Sequence, residues 1–153
     1  MEITAQYGCT LIVNDYWREA MELGADFIHL GQEDLQAADR AAIRKAGLKL
    51  GVSTHSHEEL EIALAAEPDY VALGPIWETS LKKMKWQPQG LARLAEWTKN
   101  SPVPVVAIGG ITLERAPQTF ATGATSIAVV TDIVSHPTPE QRVKAWLAFG
   151  KQE

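Results

Sequence analysis

The sequence predicts an α/β fold built from alternating strands and helices. Three observations carry that prediction. Short apolar runs alternate with longer amphipathic stretches along the whole chain. The short runs are continuous, as in strands of a parallel sheet covered on both faces. Polar residues gather just after the runs end: Asn14-Asp15, Gln32-Glu33-Asp34, Ser53-Thr54-His55, Thr79 to Lys83, Gly109-Gly110 and Thr131-Asp132. The result is six β-then-α units, joined by right-handed crossovers. Two architectures fit: an open doubly wound sheet, and a (β/α) barrel, whose full form has eight units and about 250 residues.

Each element has its own signal. CTLIV (Cys9–Val13) reads as a buried strand, and WREAMELG as a short helix closed by Gly24. FIHL (Phe27–Leu30) is the second strand, and Leu35–Gly47 a helix with a glycine stop. Leu48–Thr54 is a strand and His57–Glu67 a helix. Tyr70–Ile76 is a strand, followed by a long lysine-bearing loop from Trp77 to Gln89. GLARLAEWTKN is a helix and Val103–Gly110 a strand. Leu113–Gly123 is a short helix with Pro117 in its first turns, and Ser126–Thr131 the last strand. Thr138–Gly150 is a terminal helix with Thr138 as N-cap and Pro139 at its first position.

At 153 residues, 46% hydrophobic and 22% charged, the chain suits one globular domain. A net charge of -5 leaves no basic footprint for nucleic acid. Local lysines and backbone N–H groups still allow a phosphorylated ligand. Cys9 is the only cysteine, which excludes a disulfide framework within the chain and fits a reducing, cytoplasmic setting. No apolar run approaches the roughly 20 residues that span a bilayer. MEITAQYG lacks the basic and apolar regions of a signal peptide.

Asp15 and Asp34 end two successive strand-like runs. Neighbouring strands lie about 4.8 Å apart, so the two carboxylates can share a divalent cation. Without thiolate or imidazole neighbours, the donor set favours Mg²⁺ over zinc. The alternative is that each aspartate caps the helix behind it. The glycine pair of AIGGIT allows backbone N–H groups to approach an anion, or simply makes a tight turn. Lys82, Lys83 and Lys85 occupy the long loop; one lysine can neutralise a diphosphate, and Lys83 and Lys85 read as solvated. His29 sits within a strand and reads as core or barrel interior. His55, at a strand end, is the histidine suited to acid–base work. His57 and His136 read as surface residues.

IVND, FIHLGQEDL, LGVSTH, YVALGPI, AIGGIT and SIAVVT, in this order and spacing, resemble thiamine phosphate synthase. The likeness extends over essentially the whole chain. It implies a (β/α) TIM-type barrel, with about six of eight units present as one partial domain over residues 1–153. It implies a Mg²⁺-dependent transferase that joins an aminopyrimidine-methyl diphosphate to a thiazole phosphate and releases diphosphate. By the same resemblance Asp15 and Asp34 hold Mg²⁺, Asn14 lies beside the diphosphate, and Ser53 contacts it. Thr79 and Lys82 hold phosphate groups, Lys82 and Ser53 serving catalysis. Gly110, Val130 and Thr131 receive the thiazole phosphate.

The sequence departs from that family pattern in places. Glu78 and Leu81 stand where proline and a second threonine are usual, and Thr131 where serine is common. The family's first two βα units, with a Gln-x-Arg-x-x-Lys segment that grips the pyrimidine diphosphate, have no counterpart here. A shortened synthase is therefore expected, with open edges on CTLIV and SIAVVT that invite self-association, and with little turnover. The alternatives are a thiazole tautomerase using His55, and a non-catalytic phosphate-binding remnant.

Overall fold

The strands of the computed structural model are β1 (Ile12–Asn14), β2 (Phe27–Leu30), β3 (Lys49–Thr54), β4 (Tyr70–Leu73), β5 (Val105–Ile108) and β6 (Ser126–Ala128). The structure describes residues 2–79 and 86–150. Among these the strands form one sheet in the order β1-β2-β3-β4-β5-β6. A doubly wound sheet reverses its order at a switch point, whereas a barrel winds in one direction. The unbroken order therefore selects the barrel-type architecture between the two that the sequence allowed. The chain divides into two compact units, Met1–Ala72 and Leu73–Glu153.

In the first unit β1 and β2 pair in parallel, with Asn14 opposite His29. β2 and β3 also pair in parallel, with His29 opposite Gly51 and Leu30 opposite Val52. The helices are α1 (Glu2–Gln6), α2 (Trp17–Glu22), α3 (Gln32–Ala37), α4 (Arg40–Lys45) and α5 (His57–Leu64). Along β2, Ile28 and Leu30 are fully buried on one face, while Phe27 and His29 lie half-buried on the other. Ala20, Leu35, Ile43 and Ala63 bring the helices into the same core as Val52 and Val71.

Two expectations change here. The helix expected over Leu35–Gly47 is split into α3 and α4. Ala38 is extended (ψ 142°), and the Asp39 carboxylate caps α4 by accepting from the Ala42 N–H at 2.9 Å. A local cap thus overrode a continuous apolar period. The first strand starts later than CTLIV, at Ile12, and α1 was not foreseen.

In the second unit β5 and β6 pair in parallel, with Ile108 opposite Ala128. Its helices are α6 (Gly90–Asn100), a 3₁₀ turn at Leu113–Arg115 leading into α7 (Ala116–Phe120), α8 (Thr131–Val134) and α9 (Pro139–Phe149). Pro117 lies in the first turn of α7, where its missing N–H costs nothing. Leu94 and Trp97 of α6 are buried, as are Val105 and Ala107 of β5. The last strand is shorter than SIAVVT: it ends at Ala128, and Thr131 opens α8 instead of closing a strand. Thr138 is the N-cap of α9, but its hydroxyl pairs with His136 Nδ1 at 3.2 Å.

Gly51 explains how the middle of the first unit closes. A Cβ at this position would collide with the Tyr70 ring. Glycine therefore seats Tyr70 from β4 directly on β3, where the ring also stacks on His29 at 5.5 Å between centroids. Gly51→Ala is expected to destabilise the protein by about 1–3 kcal/mol, as overpacking does, measured by urea unfolding. Unchanged stability would show that Tyr70 does not need this seat.

Candidate functional site

The polar cluster of the first unit is built from the ends of β1, β2 and β3. The N–H of Asp15 donates to the His29 carbonyl at 2.9 Å, which carries the β1–β2 ladder one residue past β1. Asp15 then adopts φ 68°, a left-handed conformation that aspartate tolerates better than most residues. That turn sends its carboxylate toward Gly31, whose backbone N–H hydrogen-bonds to it. Asn14 Nδ2 donates to Asp15 Oδ2 at 2.5 Å. Asp34 arrives at the same place from the first turn of α3. A Cβ on Gly31 would stand 3.6 Å from Asp34 Oδ2, so this carboxylate lies over the Gly31 backbone.

Neither aspartate is an N-cap. Tyr16 holds that position in α2 and Gly31 in α3, so the capping alternative falls for both. Partial desolvation raises the Asp15 pKa above the ordinary value of 3.8, and the adjacent Asp34 charge raises it further. The two carboxylates form a repelling, oxygen-only pair. This is a donor set that suits a hard divalent cation such as Mg²⁺, which takes one or two carboxylates and completes its shell with water and phosphate oxygens. Among the described residues no group of three or more His, Cys, Asp or Glu gathers around a common point.

Ser53, at the end of β3, is pinned from two sides. His29 Nε2 lies 2.8 Å from its hydroxyl. Gln32 Nε2 donates to its carbonyl at 2.8 Å and to that of Glu59 at 3.3 Å. The side-chain Oε1 of Gln32 is buried with no hydrogen-bond partner among the described residues. The other ring nitrogen of His29, Nδ1, lies 2.8 Å from the Tyr70 hydroxyl. Burial pushes His29 down to about 4 and Tyr70 up to about 12, so both are neutral at pH 7. His55 is held differently: Glu59 Oε2 accepts from its backbone N–H at 2.8 Å and meets its Nδ1 at 2.7 Å.

In the second unit Gly109 (φ 92°) and Gly110 (φ 66°) follow β5. A Cβ on Gly109 would strike Pro75, and one on Gly110 would strike the Glu78 carbonyl and Trp77. The glycine pair thus serves close approach by the Pro75–Glu78 segment, whose Trp77 N–H donates to Gly109 O at 3.1 Å. Arg115 grips the Gly110 carbonyl at 2.6 Å while its guanidinium lies 5.1 Å from the Trp77 ring centre. Val130 is the N-cap of α8, with Thr131 as its first residue. Thr79 lies within the long loop, and Leu81, Lys82, Lys83 and Lys85 lie outside the described residues.

α8 is fixed by a clamp. Arg142 of α9 donates to both carboxylate oxygens of Asp132, at 2.8 and 2.9 Å, and to Glu114 at 2.9 Å. Trp146 Nε1 adds a bond to Asp132 at 2.8 Å. The Arg142 hydrogen bond, helped by backbone and Thr112 donors, holds Glu114 at about 2. Partial burial opposes ionisation of Asp132, yet the Arg142 and Trp146 bonds outweigh it and its pKa falls.

Sequence reasoning assigned no role to Gln32, Tyr70, Arg115 or Arg142, and placed His29 only as interior. The partners are 41 residues apart for His29 and Tyr70, 28 for Arg142 and Glu114 and 21 for Gln32 and Ser53, while Arg115 meets Gly110 only 5 residues back. One signal was available: Gly51 inside an otherwise apolar strand marks close approach of another group.

The comparisons with known proteins agree with one another. The family model described as thiamine monophosphate synthase matches residues 1–133. The thiamine-phosphate synthase of Rhizobium etli is 66% identical over 145 residues, covering 94% of this chain and 71% of the relative. That of Yersinia pestis is 52% identical, covering 87% of this chain and 62% of the relative. The chain thus spans less than two thirds of the Yersinia protein. The solved thiamine phosphate pyrophosphorylase from Pyrococcus furiosus superposes with a TM-score of 0.85 at 27% identity, over 99% of this chain and 72% of that one.

Two predictions follow from these charges. A raised Asp15 pKa means that its ionised form costs stability, a cost absent at low pH that sets in as pH rises past 3.8 toward the folded value. In metal-free buffer at pH 7, Asp34→Asn should therefore melt at or above the parent temperature, and adding Mg²⁺ should raise the melting temperature of the parent only. Equal Mg²⁺ responses would contradict a shared site. For the clamp the sign is opposite. Depressed Glu114 and Asp132 values give stability present above the unfolded pKa, and for Glu114 it is lost between about 4.5 and about 2. Arg142→Met should lower stability at pH 7 and flatten acid unfolding in that window. An unchanged acid limb would show that the clamp contributes nothing.

Proposed function

The chain belongs to the thiamine monophosphate synthase family, and from that premise we propose that it condenses an aminopyrimidine-methyl diphosphate with a thiazole phosphate. The products of this transferase reaction are thiamine phosphate and diphosphate. The observation that carries the reading is the convergence of the Asp15 and Asp34 carboxylates at Gly31. A Mg²⁺ held by these two residues would neutralise the charge of the departing diphosphate.

The remaining roles belong to the chain itself. Asn14, fixed against Asp15, lies beside the diphosphate, and Ser53 offers it a hydroxyl. Lys82 supplies a cation to the leaving group and Thr79 a hydroxyl. Gly110, Val130 and Thr131 bind the thiazole phosphate. The C–O bond to diphosphate breaks with its electron pair leaving on oxygen. The thiazole nitrogen lone pair then forms the new C–N bond with the pyrimidine-methyl cation. Positioning and charge stabilisation carry this reaction, with no strong base.

The Pyrococcus likeness over nearly the whole chain supports a single barrel-type domain across both compact units. Among the described residues no helix is long and apolar enough to cross a membrane. The reading includes a cytoplasmic setting, with the exposed Cys9 reduced, and small molecules as the partners. It also includes self-association through β1 and β6, the outer strands of the sheet, where Ile12 is 43% exposed. The tautomerase alternative loses support, because the relatives compared are synthases by name.

The test is product formation. Thiamine phosphate should appear from the two substrates only when Mg²⁺ is present. Asp15→Asn and Asp34→Asn should each lower kcat/KM by about a hundredfold or more, since metal stabilisation of leaving charge is worth several kcal/mol. Product formed equally well without Mg²⁺ would overturn the reading. Binding of thiazole phosphate with no product would identify a non-catalytic remnant instead.

A further inference from the structure

Of the hydrogen-bonded series Tyr70–His29–Ser53, only Ser53 has a part in the reaction as set out above. The series crosses three strands within the first unit and ends on a hydroxyl at the site. His29 stands between two partners at 2.8 Å, one on each ring nitrogen. A neutral imidazole carries one proton, so only two arrangements satisfy both contacts. In one, Nδ1–H donates to the Tyr70 oxygen and Ser53 donates its proton to Nε2. Ser53 then presents only lone pairs to an approaching anion. In the other, the Tyr70 O–H donates to Nδ1 and Nε2–H donates to Ser53 Oγ. The Ser53 proton is then free to point away from His29.

An anionic oxygen is attracted by the second arrangement and repelled by the first. The ring, seated on Gly51 and stacked on His29, keeps the Tyr70 oxygen against Nδ1 at 2.8 Å, and a phenol hydroxyl is a better donor than acceptor, which favours the second arrangement. Gln32 fixes the Ser53 backbone through its carbonyl, so the hydroxyl direction is set by His29.

We propose that His29 is a positioning residue, which Tyr70 locks in the Nε2–H tautomer so that Ser53 donates its hydroxyl proton to an oxygen of the diphosphate. This rests on the assignment of Ser53 to diphosphate contact. It adds a reason why that serine acts as a donor, and it gives His29, Tyr70 and Gly51 a joint purpose.

The experiment is a double-mutant cycle on the affinity for inorganic diphosphate in the presence of Mg²⁺, by titration calorimetry of the full chain. Ser53→Ala is expected to weaken binding about tenfold, the worth of one hydrogen bond to a charged group. His29→Leu should cause a similar loss, and the double variant should lose no more than Ser53→Ala alone. Tyr70→Phe keeps the ring on Gly51 and should weaken binding about threefold, the scale of a neutral hydrogen bond. His29→Gln, which places an amide N–H near the Nε2 position, should recover most of the affinity lost in His29→Leu. Losses that multiply in the double variant would overturn the relay. So would full affinity in both His29→Leu and Tyr70→Phe while Ser53→Ala is weakened, with the Ser53 assignment left standing. If the parent does not bind diphosphate, or Ser53→Ala binds as the parent does, the Ser53 assignment fails and the relay fails with it.

Discussion

One hydrogen bond organises the site of the first unit: the Asp15 N–H to the His29 carbonyl at 2.9 Å. It continues a parallel ladder beyond the last residue of β1, and the chain must then turn at once. The turn requires a positive φ, and a residue with a short polar side chain is among the few that accept it. The strain is of order 1 kcal/mol or somewhat more, and the surroundings hold it in place. What the molecule gains is a carboxylate brought to Gly31, where Asp34 also arrives. The same His29 that accepts this bond through its carbonyl reaches Ser53 and Tyr70 through its ring. Backbone ladder, carboxylate pair and hydroxyl relay thus share one residue.

The carboxylate pair is unfavourable without a counter-charge. Burial and mutual repulsion both raise the Asp15 pKa, so the folded chain holds a local excess of negative charge. Such an arrangement persists only where stability comes from elsewhere. In this unit it comes from Ile28, Leu30, Val52 and Val71, all fully buried beneath the strand ends. The second unit spends its charges differently. Arg142 satisfies Asp132 and Glu114 together, which fixes α8 and the Val130–Thr131 step that starts it. Among the described residues the Asp15–Asp34 pair meets no cation, whereas Asp132 and Glu114 share Arg142.

Much of this was legible in the sequence because it depends on local order. Strand ends at Leu30 and Thr54 follow from where apolar runs stop, β1 runs one residue past the expected Val13, and Asp15 and Asp34 are read from the polar residues that follow. FIHL and GLARLAEWTKN match β2 and α6 residue for residue. Less legible were features decided by competition at a single residue. Asp39 breaks a helix that its apolar period would continue, and Val130 ends a run of strand formers by capping α8. Least legible were contacts across the sheet. His29 meets Tyr70 only because register sets it opposite Gly51, and no spacing along the chain expresses that. The glycine pair after β5 could be read as anion-binding or as a turn. The structure adds a third reason, the close passage of the Pro75–Glu78 segment.

The divalent-cation site proposed for Asp15 and Asp34 over Gly31 is open to direct observation. The most direct measurement is anomalous diffraction from crystals of this chain soaked with Mn²⁺ and inorganic diphosphate, with Mn²⁺ standing in for Mg²⁺. An anomalous peak within coordination distance of both carboxylates, lost in Asp34→Asn, is the expected result. A peak bound to only one of them, or none at this place in well-occupied crystals, would contradict it.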